Sequence, residues 1–245
     1  MLSSVPPTMP APFVSLVIPA YNEAHRLPNT LNRCVEFFRQ WGHPWEILVV
    51  DDGSTDGTAA AVAALGATVP EVRCLTVPHG GKGLAVRAGM LAAGGRWRMF
   101  ADADLAVDIT QLPDFLVTHA DVAIGSREAP GARRIGEPFT RHLIGRVFNL
   151  FVQILVLRGV SDTQCGCKMF SAESARTLFS QSRLRGFGFD VELLYLAKRH
   201  GLSLREIPVA WHHRPGSRVR VGTGLSAFLQ LAQIRWNALT GAYDD

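Results

Sequence analysis

Five short runs of aliphatic and β-branched residues recur in the first half of the chain, each continuous rather than alternating and each closing on an acid or a polar turn. They are VSLVIP from Val14, EILVVDD from Glu46, VRCLTV from Val72, WRMFADAD from Trp97 and DVAIGS from Asp121. Helical patterns separate them: a stretch with Leu27, Leu31, Val35 and Phe38 on one face, the alanine-rich Thr58 to Leu65, and Gly83 to Ala93. A strand that is apolar on both faces has to be covered on both. The pattern therefore predicts an α/β domain with a doubly wound, mostly parallel sheet. Ligands of such sheets lie beyond the carboxyl ends of the strands. That is where the acids fall: Glu23 after the first run, Asp51 and Asp52 after the second, Asp102 and Asp104 after the fourth.

The second half reads as helices and one late strand. Arg141 to Leu157 is strongly apolar, yet His142, Arg146, Asn149 and Gln153 recur at helical spacing. The run is too short and too interrupted to cross a bilayer, which takes about 20 apolar residues. It fits an amphipathic helix at an interface or packed on the domain. Asp190 to His200 predicts another helix, LSLREIPVAW a strand, and Gly224 to Leu239 a terminal amphipathic helix. The last either packs its apolar face on the sheet or meets a membrane. These readings divide the chain into a disordered lead-in at 1–12, a domain at 13–215 and a C-terminal amphipathic helical tail at 216–245.

Composition removes several classes. At 245 residues and 47% hydrophobic content the chain can bury a full core and is not disordered. Four cysteines make no disulfide framework at this length, and Cys165-Gly166-Cys167 without a second pair is poor zinc spacing, so reduced thiols in a cytosolic compartment are expected. The proline-rich start has no apolar run and does not read as a signal peptide. Residues 1–125 carry 8 basic and 12 acidic side chains and residues 126–245 carry 17 and 9, with no dense basic run. This argues against a nucleic-acid partner and for a metal site followed by an anion site.

Taken alone, each motif has an ordinary reading beside a chemical one. Asp102-Ala103-Asp104 puts two carboxylates at a strand end, able to share one hard divalent cation with a phosphate, but such acids also cap helices. Asp51-Asp52-Gly53-Ser54 supplies turn chemistry and could also accept hydrogen bonds from a base or a ribose. Gly80-Gly81-Lys82-Gly83 is not a P-loop, because the glycine spacing before the lysine and the Ser or Thr after it are missing.

In order and spacing, VSLVIPAYNEAHRLPNTL, EILVVDDGSTDGT, GGKGLAVRAGM, FADADLA, AIGSR, SDTQCGCKMF and FDVELLYLAKRHG resemble the family 2 glycosyltransferases. The likeness runs from about Val14 to Arg235 and is strongest to the branch that makes polyprenyl-phosphate (dolichyl-phosphate) sugars, with its glucosyl and mannosyl members. The resemblance implies the GT-A nucleotide-sugar-binding fold and a metal-dependent hexosyltransferase. Pro19, Ala20, Tyr21 and Glu23, with Asp51 and Asp52, would hold the nucleotide. Lys82 would flank it, and Asp102, Ala103 and Asp104 would meet its diphosphate through Mg²⁺ or Mn²⁺ bound by the two aspartates.

Asp162 to Gly166 resembles the glucosyl branch, which favours UDP-glucose over GDP-mannose as donor. Arg127 and Arg141 match the arginines that grip an acceptor phosphate, and Lys168 with Arg214, Arg218 and Arg220 could complete an anion pocket. Asp190 stands where relatives that act on hydroxyls keep a general base. Two positions depart from the pattern: Ala106 replaces a side-chain metal ligand, and Cys167 replaces an aromatic residue. The implied activity is inverting transfer of a hexose to a polyprenyl phosphate. Rival readings are a mannosyl donor, a hydroxyl acceptor on a polysaccharide or small acid, and a non-catalytic nucleotide-sugar-binding protein. The expected setting is the cytoplasmic face of a membrane, peripherally attached, with a homo-oligomer or a membrane protein as a further partner.

Overall fold

Sheet and helices alternate along the chain as the apolar runs require. A computed structural model describes residues 11–214 and 222–244, with the side chains of 141 and 222–227 outside that description. In order come β1 (Val14–Ala20), α1 (Leu27–Trp41), β2 (Trp45–Asp51), α2 (Thr58–Gly66), β3 (Val72–Thr76), α3 (Lys82–Ala92) and β4 (Trp97–Ala101). A 3₁₀ turn at Ile109–Gln111 leads into α4 (Leu112–Leu116), followed by β5 (Val122–Ser126), β6 (Arg133–Ile135) and α5 (Phe139–Leu155). The chain continues with β7 (Cys167–Ser171), α6 (Ala172–Gln181), α7 (Phe189–Arg199), β8 (Leu204–Pro208), β9 (Ala210–His212) and α8 (Gly222–Leu239).

Seven strands form the central sheet in the order β3-β2-β1-β4-β7-β5-β8. β1 pairs in parallel with β2 and β4, β2 with β3, and β5 with β8, whereas β7 runs antiparallel to both its neighbours. The continuous apolar runs serve two cores at once. Leu16, Ile18, Ile47 and Val49 point into the layer under α1, and Val17, Leu48 and Val50 into the layer under α3 and α7. This is the period-2 alternation of a strand with both faces buried.

The sheet is mostly parallel as expected, with β7 running antiparallel in the slot between β4 and β5. β4 ends at Ala101, and Asp102 and Asp104 follow it as the sequence suggests. β6 and β9 form a small second sheet, and Val107 bridges to Trp211. The C-terminal strand is thereby tied to the segment just after Asp104. Residues 1–10 of the lead-in lie outside the described residues.

α5 is amphipathic in the reverse sense to a core-packing helix. Phe139, Leu143, Ile144, Leu150, Ile154 and Leu155 are exposed, while Phe148, Asn149 and Val152 are buried. Its polar row faces the domain. Asn149 donates to the carbonyls of Val160 and Ser161 and accepts from Thr163, and Arg146 reaches Glu128. α8 touches α5 through Phe228, whose ring lies 5.4 Å from Phe148 and 5.1 Å from Phe151. No described helix is long and apolar enough to cross a membrane.

Candidate active site

Loops at the carboxyl ends of β1 and β2 are stitched together by short polar side chains. Asn22, in the left-handed region at φ 51°, donates its backbone N–H to Ser54 Oγ at 2.8 Å and accepts the Thr55 N–H at 2.8 Å. Glu23 N–H donates to Thr58 Oγ1, and Ala24 N–H to Asp56. Asp51 and Asp52 are buried. Asp51 accepts the Ser54 N–H, and the two oxygens of Asp52 accept the N–H groups of Gly80 and Gly81 at 2.8 and 3.0 Å. The hydrogen-bonding capacity expected to serve a base or ribose therefore goes first into the loops themselves. Tyr21 stacks on His79 at 4.3 Å between centroids, and His79 leans on Asp52 at 3.0 Å. His79 carries no motif, so the sequence does not single it out.

The glycine loop is held from two sides. Besides the Asp52 clamp, Gly83 N–H donates to the Arg185 carbonyl at 2.8 Å, and a Cβ on Gly83 would press on the carbonyls of Leu184 and Arg185. With its backbone fixed, Lys82 extends across the cleft to Asp102 Oδ1 at 2.5 Å. Burial alone would lower the Lys82 ammonium, but Asp102, then Asp190 and Asp104, outweigh it and push it up to about 12. Gly166 is needed opposite, because any side chain there would overlap the Asp102 carboxylate. Asp104 accepts the Ala106 N–H at 3.0 Å, and Thr30 anchors the Ala103 carbonyl at 2.7 Å. Burial, and next the charge of Asp102, raise the Asp104 carboxyl above the ordinary aspartate range.

Two carboxylates that repel each other and share an ammonium fit a divalent cation. Among the described residues no group of three or more His, Cys, Asp and Glu could hold a metal. The protein thus offers Asp102 and Asp104, and a diphosphate and water would fill the remaining positions, a shell Mg²⁺ accepts.

Arg127 does not stand open. Its guanidinium forks onto Asp162 at 2.7 and 2.9 Å, its backbone N–H donates to the same carboxylate, and Trp211 lies 5.5 Å away. Burial would raise Asp162, but the Arg127 charge overrides it and brings the carboxyl to about 2. Lys168 is fully buried and donates to Asp190 at 2.5 Å and to the Cys165 carbonyl at 2.7 Å. Asp190 is thus the counter-ion of a buried lysine, and Lys168 is not free for an anion pocket. Arg214 is exposed. Arg218, Arg220 and the Arg141 side chain lie outside the described residues. The four thiols are free, and burial pushes Cys34 and Cys165 up to about 12.

A doubly wound sheet with paired aspartates and a clamped glycine loop at its carboxyl edge defines a nucleotide-sugar glycosyltransferase of the GT-A fold. Solved structures show the same fold. Glucosyl-3-phosphoglycerate synthase from Mycobacterium tuberculosis in complex with Mn²⁺, UDP-glucose and phosphoglyceric acid superposes with TM-score 0.67 at 21% identity, over 91% of this chain and 79% of that one. Mannosyl-3-phosphoglycerate synthase from Rubrobacter xylanophilus gives 0.67 at 20% identity, over 94% and 75%.

The glycosyl transferase family 2 profile matches residues 15–179. The dolichyl-phosphate β-glucosyltransferase of Drosophila melanogaster is 38% identical over 84% of this chain and 69% of its own length. Those of Homo sapiens and Saccharomyces cerevisiae are each 34% identical, over 96% and 95% of this chain and 78% and 77% of their own lengths. The chain belongs to glycosyl transferase family 2, in its polyprenyl-phosphate sugar synthase branch.

Proposed function

We propose that the protein transfers glucose from UDP-glucose to dolichyl or another polyprenyl phosphate with inversion, giving a β-linked lipid-phosphate sugar. The observation that carries this reading is the pairing of Asp190 with Lys168. The acid at the usual general-base position is only 3% exposed and bound to a buried ammonium. A hydroxyl acceptor needs a base to take its proton, whereas a phosphate acceptor is already anionic at neutral pH. Relatives at 32–38% identity that are named dolichyl-phosphate β-glucosyltransferases support the same acceptor and sugar. The UDP-glucose complex of the structural neighbour supports the donor.

In this reading Asp102 and Asp104 hold Mg²⁺ or Mn²⁺, which supplies positive charge to the departing diphosphate. Lys82 adds a second cation at the same place. Tyr21 and His79 offer a stacked aromatic wall for the nucleotide base, and the Asp52 clamp keeps the glycine loop in position. Asp162 fixes the Arg127 guanidinium, and Arg127 and Arg141 would together grip the acceptor phosphate. A phosphate oxygen then bonds to C1 as the bond from C1 to the nucleoside diphosphate breaks on the opposite side.

Steady-state titration of donor and acceptor separately tests the assignment. Arg141→Ala should raise the apparent KM for dolichyl phosphate about ten- to a hundredfold, as expected for one lost charged hydrogen bond, and leave that for UDP-glucose nearly unchanged. No glucosyl product from UDP-glucose, Mn²⁺ and dolichyl phosphate, with transfer to a hydroxyl acceptor instead, would replace this reading.

The outward apolar row of α5, with Leu229 and Trp236 exposed on α8, supports peripheral attachment to a membrane. Neither helix carries an acid, while Arg146 and Arg235 are exposed or nearly so. Co-sedimentation with vesicles should therefore strengthen as anionic lipid is added and weaken with salt. Ile144→Glu combined with Leu150→Glu should abolish it without changing the melting temperature. Binding indifferent to both changes would refute the attachment.

A further inference from the structure

The pair of carboxylates that would hold a cation is already answered by a positive charge of the protein's own. Lys82 Nζ lies 2.5 Å from Asp102 Oδ1 and 5.8 Å from the centre of the Phe189 ring, and Asp190 and Asp104 also act on it. Its backbone is pinned on either side, by the Asp52 oxygens on Gly81 N–H and the Arg185 carbonyl on Gly83 N–H. Only the flexible stem is left to move. A divalent cation arriving alone must displace this ammonium and gains two carboxylates in return. A cation arriving on a nucleoside diphosphate brings phosphate oxygens for its own shell and offers Lys82 a new anionic partner, so the ammonium passes from carboxylate to phosphate without losing an ion pair.

On the glycosyltransferase reading above, we infer that Lys82 occupies the cation position between the aspartates in the free enzyme and gives it up only when a diphosphate draws its ammonium away. Lys82 is then a positioning residue that sets the order of binding, and the protein keeps no standing metal.

Titrating Mn²⁺ into the chelator-treated, dialysed protein, with free Mn²⁺ read by electron paramagnetic resonance, tests this without turnover. The parent should bind Mn²⁺ weakly alone and much more tightly with UDP. Lys82→Met should tighten Mn²⁺ binding in the absence of UDP about tenfold or more, because a unit positive charge a few ångströms away has gone. Lys82→Arg, which keeps the charge, should behave as the parent. Adding Asp102→Asn to Lys82→Met should erase the gain, and thermal melts confirm that each variant is folded. An unchanged Mn²⁺ affinity in folded Lys82→Met overturns the inference, as does a parent that binds Mn²⁺ equally well with and without UDP. In either case Mn²⁺ still binds with UDP and the metal-dependent reading stands. If no protein binds Mn²⁺ even with UDP, that reading falls and the inference with it.

Discussion

Asp104→Asn should lower turnover by about 10³-fold or more while leaving the melting temperature unchanged or slightly higher. The activity loss follows from the proposed assignment: with Asp102 and Asp104 as the carboxylates that would hold the cation, the substitution removes one of the two charges that keep it against the leaving diphosphate. EDTA should reproduce the loss in the parent, and excess Mn²⁺ should restore the parent but not the variant. The stability half rests on the sign of the Asp104 shift. Its folded-state value is raised, first by burial and next by Asp102. Such a group contributes stability below its unfolded value and loses that contribution as pH rises through the folded one. A negative charge on Asp104 in the metal-free protein is therefore carried at a cost. Asparagine removes the charge and keeps an oxygen for the Ala106 N–H. Full activity in chelator, or a variant that loses activity only because it unfolds, would contradict the assignment.

Lys168→Met should destabilise the protein by about 3–5 kcal/mol, because it removes the hydrogen-bonded counter-ion of the buried Asp190. At this chain length that is a fall of roughly 6–20 °C in melting temperature. Both partners are buried, Lys168 completely, and the ammonium is held by Asp190, the Cys165 carbonyl and the face of Phe100. The double variant Lys168→Met with Asp190→Leu should recover much of the loss, since replacing a buried pair by apolar groups is often neutral. A general base would behave differently. Removing it would cost 10²–10⁴-fold in turnover with the fold intact, and no lysine substitution would compensate. Thermal melts beside product formation for the two single variants and the double variant separate these outcomes.

The sheet was legible because its information is local. The five apolar runs, each bounded by an acid or a polar turn, all form strands whose amino ends lie within one residue of the runs' own. β7 was hidden for a physical reason. Its run Cys167-Lys168-Met169-Phe170 contains a lysine, which a central strand tolerates here only because Asp190 arrives from α7 to neutralise it. Asp102, Asp104 and Lys82 were found as motif residues, but not the contact that joins them, since residues 82 and 102 meet only through the fold. Asp51, Asp52 and Arg127 were singled out as ligand-facing. Their engagement with Ser54, with Gly80 and Gly81, and with Asp162 depends on loop geometry that spacing does not encode. The amphipathicity of α5 was plain, and its direction was not. Only the tether of Asn149 to the loop at 160–163 shows which side faces in.

The place of β7 also bears on how the chain becomes an enzyme. β4 and β5 are consecutive strands that do not pair with each other, so in a nascent chain that has reached β5 the strands β3-β2-β1-β4 can pair while β5, a one-strand gap away, still lacks its partners β7 and β8. The gap closes only after all of α5 has been made, a long-range step of the kind that slows folding. The same closure delivers Gly166 against Asp102 and Lys168 towards Asp190. A chain truncated ahead of residue 166 would thus lack the strand that joins the two parts of the sheet and, with it, the contacts of Gly166 with Asp102 and of Lys168 with Asp190.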